Sequence, residues 1–173
     1  MMPALINTIM VVILALFFAI PIGIGSSIYL TEYSKKEGRI GNIVRIATET
    51  LSGIPSIIYG LFGSLFFVKF LNLGISIISG AITLSIMVLP LIMRTTEEAL
   101  LSVSDSYREG SFALGAGKLR TIFKIILPSA LSGIFSGIAL ATGRIIGESA
   151  ALIFTAGTVA EVATSIFSST RTL

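Results

Sequence analysis

Two opposite charges, Arg144 and Glu148, lie within an otherwise apolar segment, Gly143-Arg-Ile-Ile-Gly-Glu148. Residues four apart share one face of a helix, so the two side chains are expected to pair and offset part of each other's desolvation. A charge at the centre of a membrane helix costs at least about 2.5–3.5 kcal/mol. The planar donors of a guanidinium suit oxyanions, so the pattern indicates an anion pathway. The alternative is an arginine that snorkels to the interface.

A second polar segment lies between two apolar stretches. Ser106-Tyr-Arg-Glu109 fits a capping box, and Asp105 adds negative charge near the positive end of the helix dipole. Gly115 can adopt a positive φ and end a helix. The pattern predicts a short helix over 107–114 that docks on a partner, although an ordinary solvated loop is the alternative. Two apolar side chains would contact that partner: Phe112 and Leu114.

The residue types exclude most catalytic chemistry. The chain has neither cysteine nor histidine, so it lacks thiolate ligands, the commonest general base and the commonest transition-metal ligand. Its only Gly-Lys pair, Gly117-Lys118, is followed by leucine, and Phe112 stands where a Walker A motif needs glycine. We therefore predict no catalytic residue, no cofactor site and no metal site on this chain, which argues against a membrane-embedded enzyme.

Composition indicates the protein class. The chain is 54% hydrophobic and 12% charged, with a mean hydropathy of +0.98, whereas soluble domains carry about 25% charge. A spanning helix needs about 20 apolar residues. Four stretches are long enough: 5–30, 43–70, 73–93 and 122–146. The shorter apolar stretch 150–160 predicts an external helix or a re-entrant segment. The expected fold is an all-α integral membrane bundle of about four to five membrane helices.

The basic residues predict the orientation. Nine of the twelve Lys and Arg fall into two clusters, after the first stretch and between the third and fourth. The positive-inside rule places both clusters in the cytoplasm, with the N-terminus outside. The clusters are Lys35, Lys36, Arg39 and Arg45, then Arg94, Arg108, Lys118, Arg120 and Lys124. The net charge of +3 is too small to indicate a nucleic-acid partner.

Three features of the spans predict packing. Pro55 would kink the second, and Ser52 or Ser56 would hydrogen-bond the freed carbonyls. Glu49 is expected to pair with Arg45. Small residues recur at every fourth position of the last span and predict close helix packing, either within this subunit or against another. They are Ser129, Gly133, Gly137 and Ala141.

The polar segment resembles a known motif. Glu109, Gly115, Ile125 and Leu127-Pro128 have the spacing of the "EAA" coupling motif of ABC importer permeases, with Gly110 and Ser111 where alanines are usual. Nearly the whole chain looks like the phosphate-specific permease of the PstA type. Three segments carry that resemblance: Leu51-Ser-Gly-Ile-Pro-Ser-Ile-Ile-Tyr-Gly-Leu61, Leu89-Pro-Leu-Ile-Met-Arg-Thr-Thr-Glu-Glu-Ala-Leu100 and Gly143-Arg-Ile-Ile-Gly-Glu-Ser-Ala-Ala-Leu-Ile-Phe-Thr-Ala-Gly157.

The resemblance implies a type I importer (MetI-like) fold in a prokaryotic cytoplasmic membrane. It also implies a sister permease, two ATPase subunits that bind ATP and Mg²⁺, and an external phosphate-binding protein. The ATPase contact would comprise Glu109, Phe112, Leu114, Gly115 and Ala116, and the translocation path would include Arg144 and Glu148.

Residues 1–173 would then form one permease domain with a cytoplasmic coupling loop at 95–124. The family has about six spans, so the first and last are expected to be missing here. Two other functions fit the same resemblance: a permease for sulfate or molybdate, and a largely signalling or assembly subunit of the phosphate system.

Overall fold

The computed structural model describes residues 2–34 and 39–157. This part of the chain contains eight α-helices and no strand. The helices are α1 (Met2–Ile28), α2 (Arg39–Ser52), α3 (Ser56–Gly63), α4 (Ile77–Leu101), α5 (Asp105–Ala113), α6 (Lys118–Thr121), α7 (Leu127–Ile146) and α8 (Ala150–Thr155). Three π-helical segments extend them: Tyr29–Tyr33 after α1, Ser64–Phe70 after α3 and Ile122–Ile126 before α7.

Helix α4 is the centre of the bundle. Its residues Ile77, Leu84 and Val88 are fully buried, and it packs against α1 on one side and α7 on the other. Dispersion attraction between packed side chains acts along the whole of α4. Where the chain would otherwise meet water, burial of apolar surface adds about 25 cal/mol per Å². The other helices therefore pack around α4. It ends at Leu101, beyond the predicted membrane boundary, so the first part of the predicted loop 95–124 is helical.

Two hydrogen bonds fix the direction of α1 against α4. The Ser85 hydroxyl donates to the Ala15 carbonyl at 2.9 Å, and the Ser27 hydroxyl donates to the Met93 carbonyl at 2.8 Å. Residue numbers rise together along the two helices, so α1 and α4 are parallel. Their C-terminal ends therefore lie at the same end of the bundle, as the predicted orientation requires.

The small residues of α7 pack inside this subunit. A Cβ added to Gly133 would lie 2.6 Å from the Ala99 Cβ, and one added to Gly137 would overlap Thr95. Because the residue numbers change in opposite directions, α7 is antiparallel to α4. Ala141 is also fully buried, whereas Ser129 is exposed. The stripe thus serves the α4–α7 contact, with Ser129 outside it.

The second apolar stretch is not one kinked helix. Helices α2 and α3 are separated at Gly53–Pro55 and differ in direction by 102°. Pro55 lacks the N–H needed for an intrahelical bond and forces its predecessor out of the helical region. The predicted break at Pro55 is confirmed, but the angle between the two helices is much larger than that of a kinked helix. The Ser52 hydroxyl donates to the Glu49 carbonyl at 2.8 Å. That carbonyl also accepts the N–H of Gly53 at 3.3 Å, so it is not freed by Pro55, and the predicted serine bond to a freed carbonyl is wrong.

Within the described residues, three helices are long and apolar enough to cross a membrane, or four if the bent pair forms one span. They are Ala4–Tyr33, Ile77–Leu101 and Lys118–Ile146. The short helix α8 packs against α3, where Gly60 permits close approach: a Cβ there would lie 2.8 Å from the Ala151 Cα. The predicted apolar segment 150–160 is thus helical at its start, and its last three residues lie outside the described part.

Candidate functional site

The predicted docking helix is α5, and its N-terminal cap differs from the prediction. The cap is Ser104, whose hydroxyl accepts the N–H of Ser106 at 3.4 Å. Asp105 therefore occupies the first turn, where its charge complements the helix dipole. The capping box of Ser106 and Glu109 is wrong because the helix already includes Ser106. Glu109 is exposed, and within the described chain its side chain has no hydrogen bond or ion pair.

The C-terminal end of α5 confirms the predicted glycine stop. Gly115 has φ +80°, a conformation that costs other residues roughly 1–2 kcal/mol. Its N–H donates to the Phe112 carbonyl at 2.9 Å, and the N–H of Ala116 donates to the Ser111 carbonyl at 3.1 Å. This pair of bonds is a Schellman motif. Space around Gly115 is open, so its backbone conformation, and not packing, requires glycine.

One side of α5 is anchored and the other faces outward. Ser111 is buried, and its hydroxyl lies 2.8 Å from the Thr121 hydroxyl, which gives a physical reason for serine where the motif usually has alanine. Leu114 is 90% exposed and Phe112 is 48% exposed, while Ala116 is half-buried. Nothing in the structure explains glycine at position 110. The outward surface, defined by Phe112 and Leu114, is called the apolar tip below.

Sequence reasoning missed the contact that anchors α5. The Arg108 guanidinium donates to the Glu32 carboxylate at 2.9 and 3.2 Å. It also donates to the carbonyls of Leu100 at 3.1 Å and Val103 at 3.0 Å, and to the Asp105 carboxylate at 2.9 Å. Glu32 and Arg108 are 76 residues apart in sequence, so no local pattern identifies the pair. The only sequence signal for this pair is the Glu32 carboxylate, which lies at the polar end of the first apolar span.

A second basic residue, Lys118, also contacts Glu32, but through the backbone of Glu32. The Lys118 ammonium donates to the backbone carbonyl of Glu32 at 2.5 Å and lies 4.5 Å from the centre of the Tyr33 ring. The start of α6 is therefore held against the end of the segment that extends α1.

A cavity of about 430 Å³ borders α2, α4 and α7. It follows α4 from Met87 to Leu101, a helical length of about 21 Å at 1.5 Å per residue. Six charged side chains line it: Arg45, Glu49, Arg94, Glu97, Glu98 and Arg144. Helix α7 is antiparallel to α4, and Gly137 faces Thr95. Arg144 follows Gly137, so it lies beside an earlier part of α4, at the Met87 end of this cavity.

Ion pairs in the cavity wall differ from the predicted ones. Arg45 pairs with Glu97 of α4 at 2.5 Å, so its predicted pairing with Glu49 is wrong. Helix α4 places Glu97 against α2, and this tertiary partner replaces the residue one turn away. Arg94 pairs with Glu98 at 3.1 Å. Arg144 forms no ion pair with any described residue.

The predicted Arg144–Glu148 pair is also wrong. Helix α7 ends at Ile146, so Glu148 lies beyond the helix and no longer shares a face with Arg144. Its carboxylate accepts the N–H of Ala151 at 3.1 Å, at the start of α8. A carboxylate is favoured beside unpaired N–H groups at a helix start. Arg144 lines the cavity, and Glu148 lies outside its lining.

Comparison with known proteins found matches in sequence and in fold. Residues 19–172 match the family described as binding-protein-dependent transport system inner membrane component. The chain is 39% identical, over 88% of its length, to a probable ABC transporter permease protein YqgI of Bacillus subtilis, of which it covers 52%. It is 36% identical, over 89% of its length, to the phosphate transport system permease protein PstA 1 of Mycobacterium tuberculosis, of which it covers 49%.

A third relative is longer. The chain is 42% identical to a phosphate transport system permease protein PstA homolog of Mycoplasma pneumoniae, over 89% of this chain and 24% of that protein. The chain thus spans about half or less of the length of these relatives. Among solved structures, an inward-facing form of the MetNI methionine ABC transporter has the same fold, with a TM-score of 0.66 and 22% identity. That match covers 82% of this chain and 65% of the other.

Proposed function

This chain belongs to the family of binding-protein-dependent transport system inner membrane components, and on that premise we propose that it is a channel-forming subunit of an ATP-driven phosphate importer. Relatives named as phosphate transport permeases at 36–42% identity support phosphate as the substrate. The all-α bundle of apolar helices supports a multi-pass membrane subunit, which we place in a prokaryotic cytoplasmic membrane.

The complete importer has four kinds of component in this proposal. A sister permease forms the other half of the pore, and an external phosphate-binding protein delivers the substrate. Two ATPase subunits bind ATP and Mg²⁺, so this chain is a non-catalytic subunit. Lipid contacts the outer surface, where large apolar side chains such as Phe17 and Phe135 are exposed.

The apolar tip of α5 is the observation that carries the proposed coupling. Leu114 is 90% exposed at the end of a helix that lies outside the α1–α4–α7 bundle. Leaving such a side chain in water costs free energy that a partner can recover by covering it. The Schellman motif at Gly115 holds the tip in one conformation, so little entropy is lost when a partner binds.

The cavity along α4 supports the proposed path. It presents arginines at both ends, with Arg45 and Arg94 already paired to α4 carboxylates. Arg144 is the arginine of this lining that pairs with no described carboxylate, so its guanidinium is available for an oxyanion. A transient contact of this kind lowers the barrier to passage without holding the substrate.

The proposed cycle uses α5 as the mechanical input. Closure of the ATPase subunits moves the apolar tip, and α5 transmits the displacement to α4 and α7. The bundle then opens to the outside, phosphate enters and Arg144 contacts it. ATP hydrolysis then lets the ATPase subunits separate and returns the bundle to the inward-facing form.

Labelled phosphate uptake tests the proposed substrate. The chain would be expressed with its partner subunits in a bacterial host that lacks its own phosphate permeases, and sulfate and molybdate would be added as competitors. We expect uptake that excess unlabelled phosphate abolishes and the other two oxyanions leave unchanged. Inhibition by sulfate or molybdate would assign the chain to another oxyanion. No uptake with normal assembly would favour a signalling or assembly role.

A further inference from the structure

Arg108 connects α5 to two membrane helices at once. Its bond to Glu32 reaches the segment that follows α1, and its bond to the Leu100 carbonyl reaches the last turn of α4. The bond to Asp105 stays within α5 and connects nothing else. The same guanidinium therefore fixes α5 relative to both parallel helices, at the end of the bundle where all three elements meet.

The Glu32–Arg108 pair is well shielded from water. The Glu32 side chain is 8% exposed and that of Arg108 is 16% exposed. Breaking such a pair leaves a poorly solvated charge, whereas an exposed pair is screened and worth little. Arg94–Glu98, at 74% and 65% exposure, is an example of the exposed kind. The buried pair resists separation while α5 is pushed or pulled.

Two further features make this junction stiff. Lys118 binds the backbone carbonyl of Glu32, so the start of α6 is attached to the same point. The Leu100 and Val103 carbonyls accept bonds from Arg108 at the C-terminal end of α4, where carbonyls otherwise lack intrahelical partners. These bonds connect α5, α6 and the segment after α1 at one point.

We propose that Glu32 and Arg108 are positioning residues that make α1 move together with α5, so that the first span is driven during transport. The proposed cycle assigns α5's displacement to α4 and α7 alone, and this inference adds α1 to the moving body. This inference rests on the proposed function in one respect, since it requires a transport cycle. It does not depend on which substrate is transported.

A distance measurement tests the rigid connection directly. Because the chain has no cysteine, spin labels can be placed at Tyr29→Cys and Ser106→Cys in the assembled importer. We expect the same distance distribution in the nucleotide-free and the ATP-trapped complex. In Arg108→Gln we expect the distribution to broaden or to shift between the two states. A wild-type distance that changes with nucleotide would overturn the proposal.

Transport efficiency supplies a second test. In proteoliposomes that contain the complete importer, Arg108→Gln and Glu32→Gln should each lower the phosphate transported per ATP hydrolysed by at least about fivefold. The double variant should be no worse than the more severe single variant, because both remove one connection. The matched control is Asp105→Asn, which removes the charge that pairs with Arg108 within α5 and should leave the ratio near wild type.

The outcomes separate this inference from its premise. A wild-type complex that assembles but transports no phosphate contradicts the proposed function, while the distance measurement still tests the rigid connection. If phosphate transport and ATP hydrolysis fall in parallel with the amount of assembled complex, the pair only stabilises the fold and the inference is wrong. The inference also fails if Asp105→Asn lowers the ratio as much as Arg108→Gln.

Discussion

The phenolic hydroxyl of Tyr59 donates a hydrogen bond of 2.7 Å to the backbone carbonyl of Leu51, across the break between α2 and α3. In an unbroken helix this carbonyl would accept the N–H of residue 55, which is a proline and has none. Tyr59 is 5% exposed, so its hydroxyl has little access to water. The Leu51 carbonyl also accepts the N–H of Ile54 at 3.1 Å. The bond from Tyr59 therefore satisfies the phenolic hydroxyl and connects the two helices across their large angle.

Removing this hydroxyl should weaken the bend. We expect Tyr59→Phe to lower the free energy of unfolding by about 0.5–1.5 kcal/mol, the usual net value of one hydrogen bond. Thermal unfolding of the detergent-solubilised protein measures the change. The matched control is Tyr29→Phe, because Tyr29 is 49% exposed and its ring stacks on Tyr33 without needing the hydroxyl. Equal effects of the two variants would contradict the role given to Tyr59.

The stop at Gly115 should be essential for coupling. Gly115→Leu places a side chain on a backbone with φ +80°, which is expected to unwind the Schellman motif and displace the apolar tip. We predict loss of transport with normal membrane insertion. Gly117→Leu is the control, because Gly117 has φ −73° and open space around it. Wild-type uptake by Gly115→Leu would show that the glycine stop is not needed.

The apolar tip should be needed for binding of the ATPase subunits. Leu114→Asp introduces a charge where the proposal requires an apolar contact, and it leaves the exposed helix end free to remain folded. We expect at least about a tenfold loss of co-purified ATPase, equivalent to 1.4 kcal/mol. Leu119→Asp, at another exposed leucine in α6, should retain most of the binding. Full retention of the ATPase by Leu114→Asp would place the contact elsewhere.

Close packing of α7 on α4 should depend on Gly137. Even Gly137→Ala inserts a methyl group into the Thr95 side chain, and overpacking of this kind costs about 1–3 kcal/mol. Thermal unfolding should therefore occur at a lower temperature. Gly25→Ala in α1 is the control, since a Cβ there meets no atom within 4 Å and alanine favours a helix. A Gly137→Ala variant as stable as Gly25→Ala would contradict the packing described here.

Local sequence patterns predicted the helices well, because helix formation depends on nearby residues. The apolar stretches, the break at Pro55 and the stop at Gly115 are all local features. The ion partners were predicted poorly for the opposite reason. Local spacing predicts that Arg45 pairs with Glu49 on its own helix, but tertiary packing places Glu97 against it.

The end of a helix was the other source of error. Arg144 and Glu148 share a face only if α7 continues through both, and it ends at Ile146. Glu32–Arg108 was missed because it depends on the parallel packing of α1 and α4, which no sequence window contains.

The central claim is that Arg144 contacts phosphate on its way through the bundle. We would measure ATP-dependent uptake of labelled phosphate by proteoliposomes that contain the complete importer, comparing wild type with Arg144→Gln and Arg144→Lys. We expect equal amounts of assembled complex in the three samples, because Arg144 forms no ion pair in the described chain whose loss would destabilise it. The account predicts loss of uptake in Arg144→Gln and partial uptake in Arg144→Lys, which keeps the charge but not the planar donors. Wild-type uptake by Arg144→Gln would contradict it.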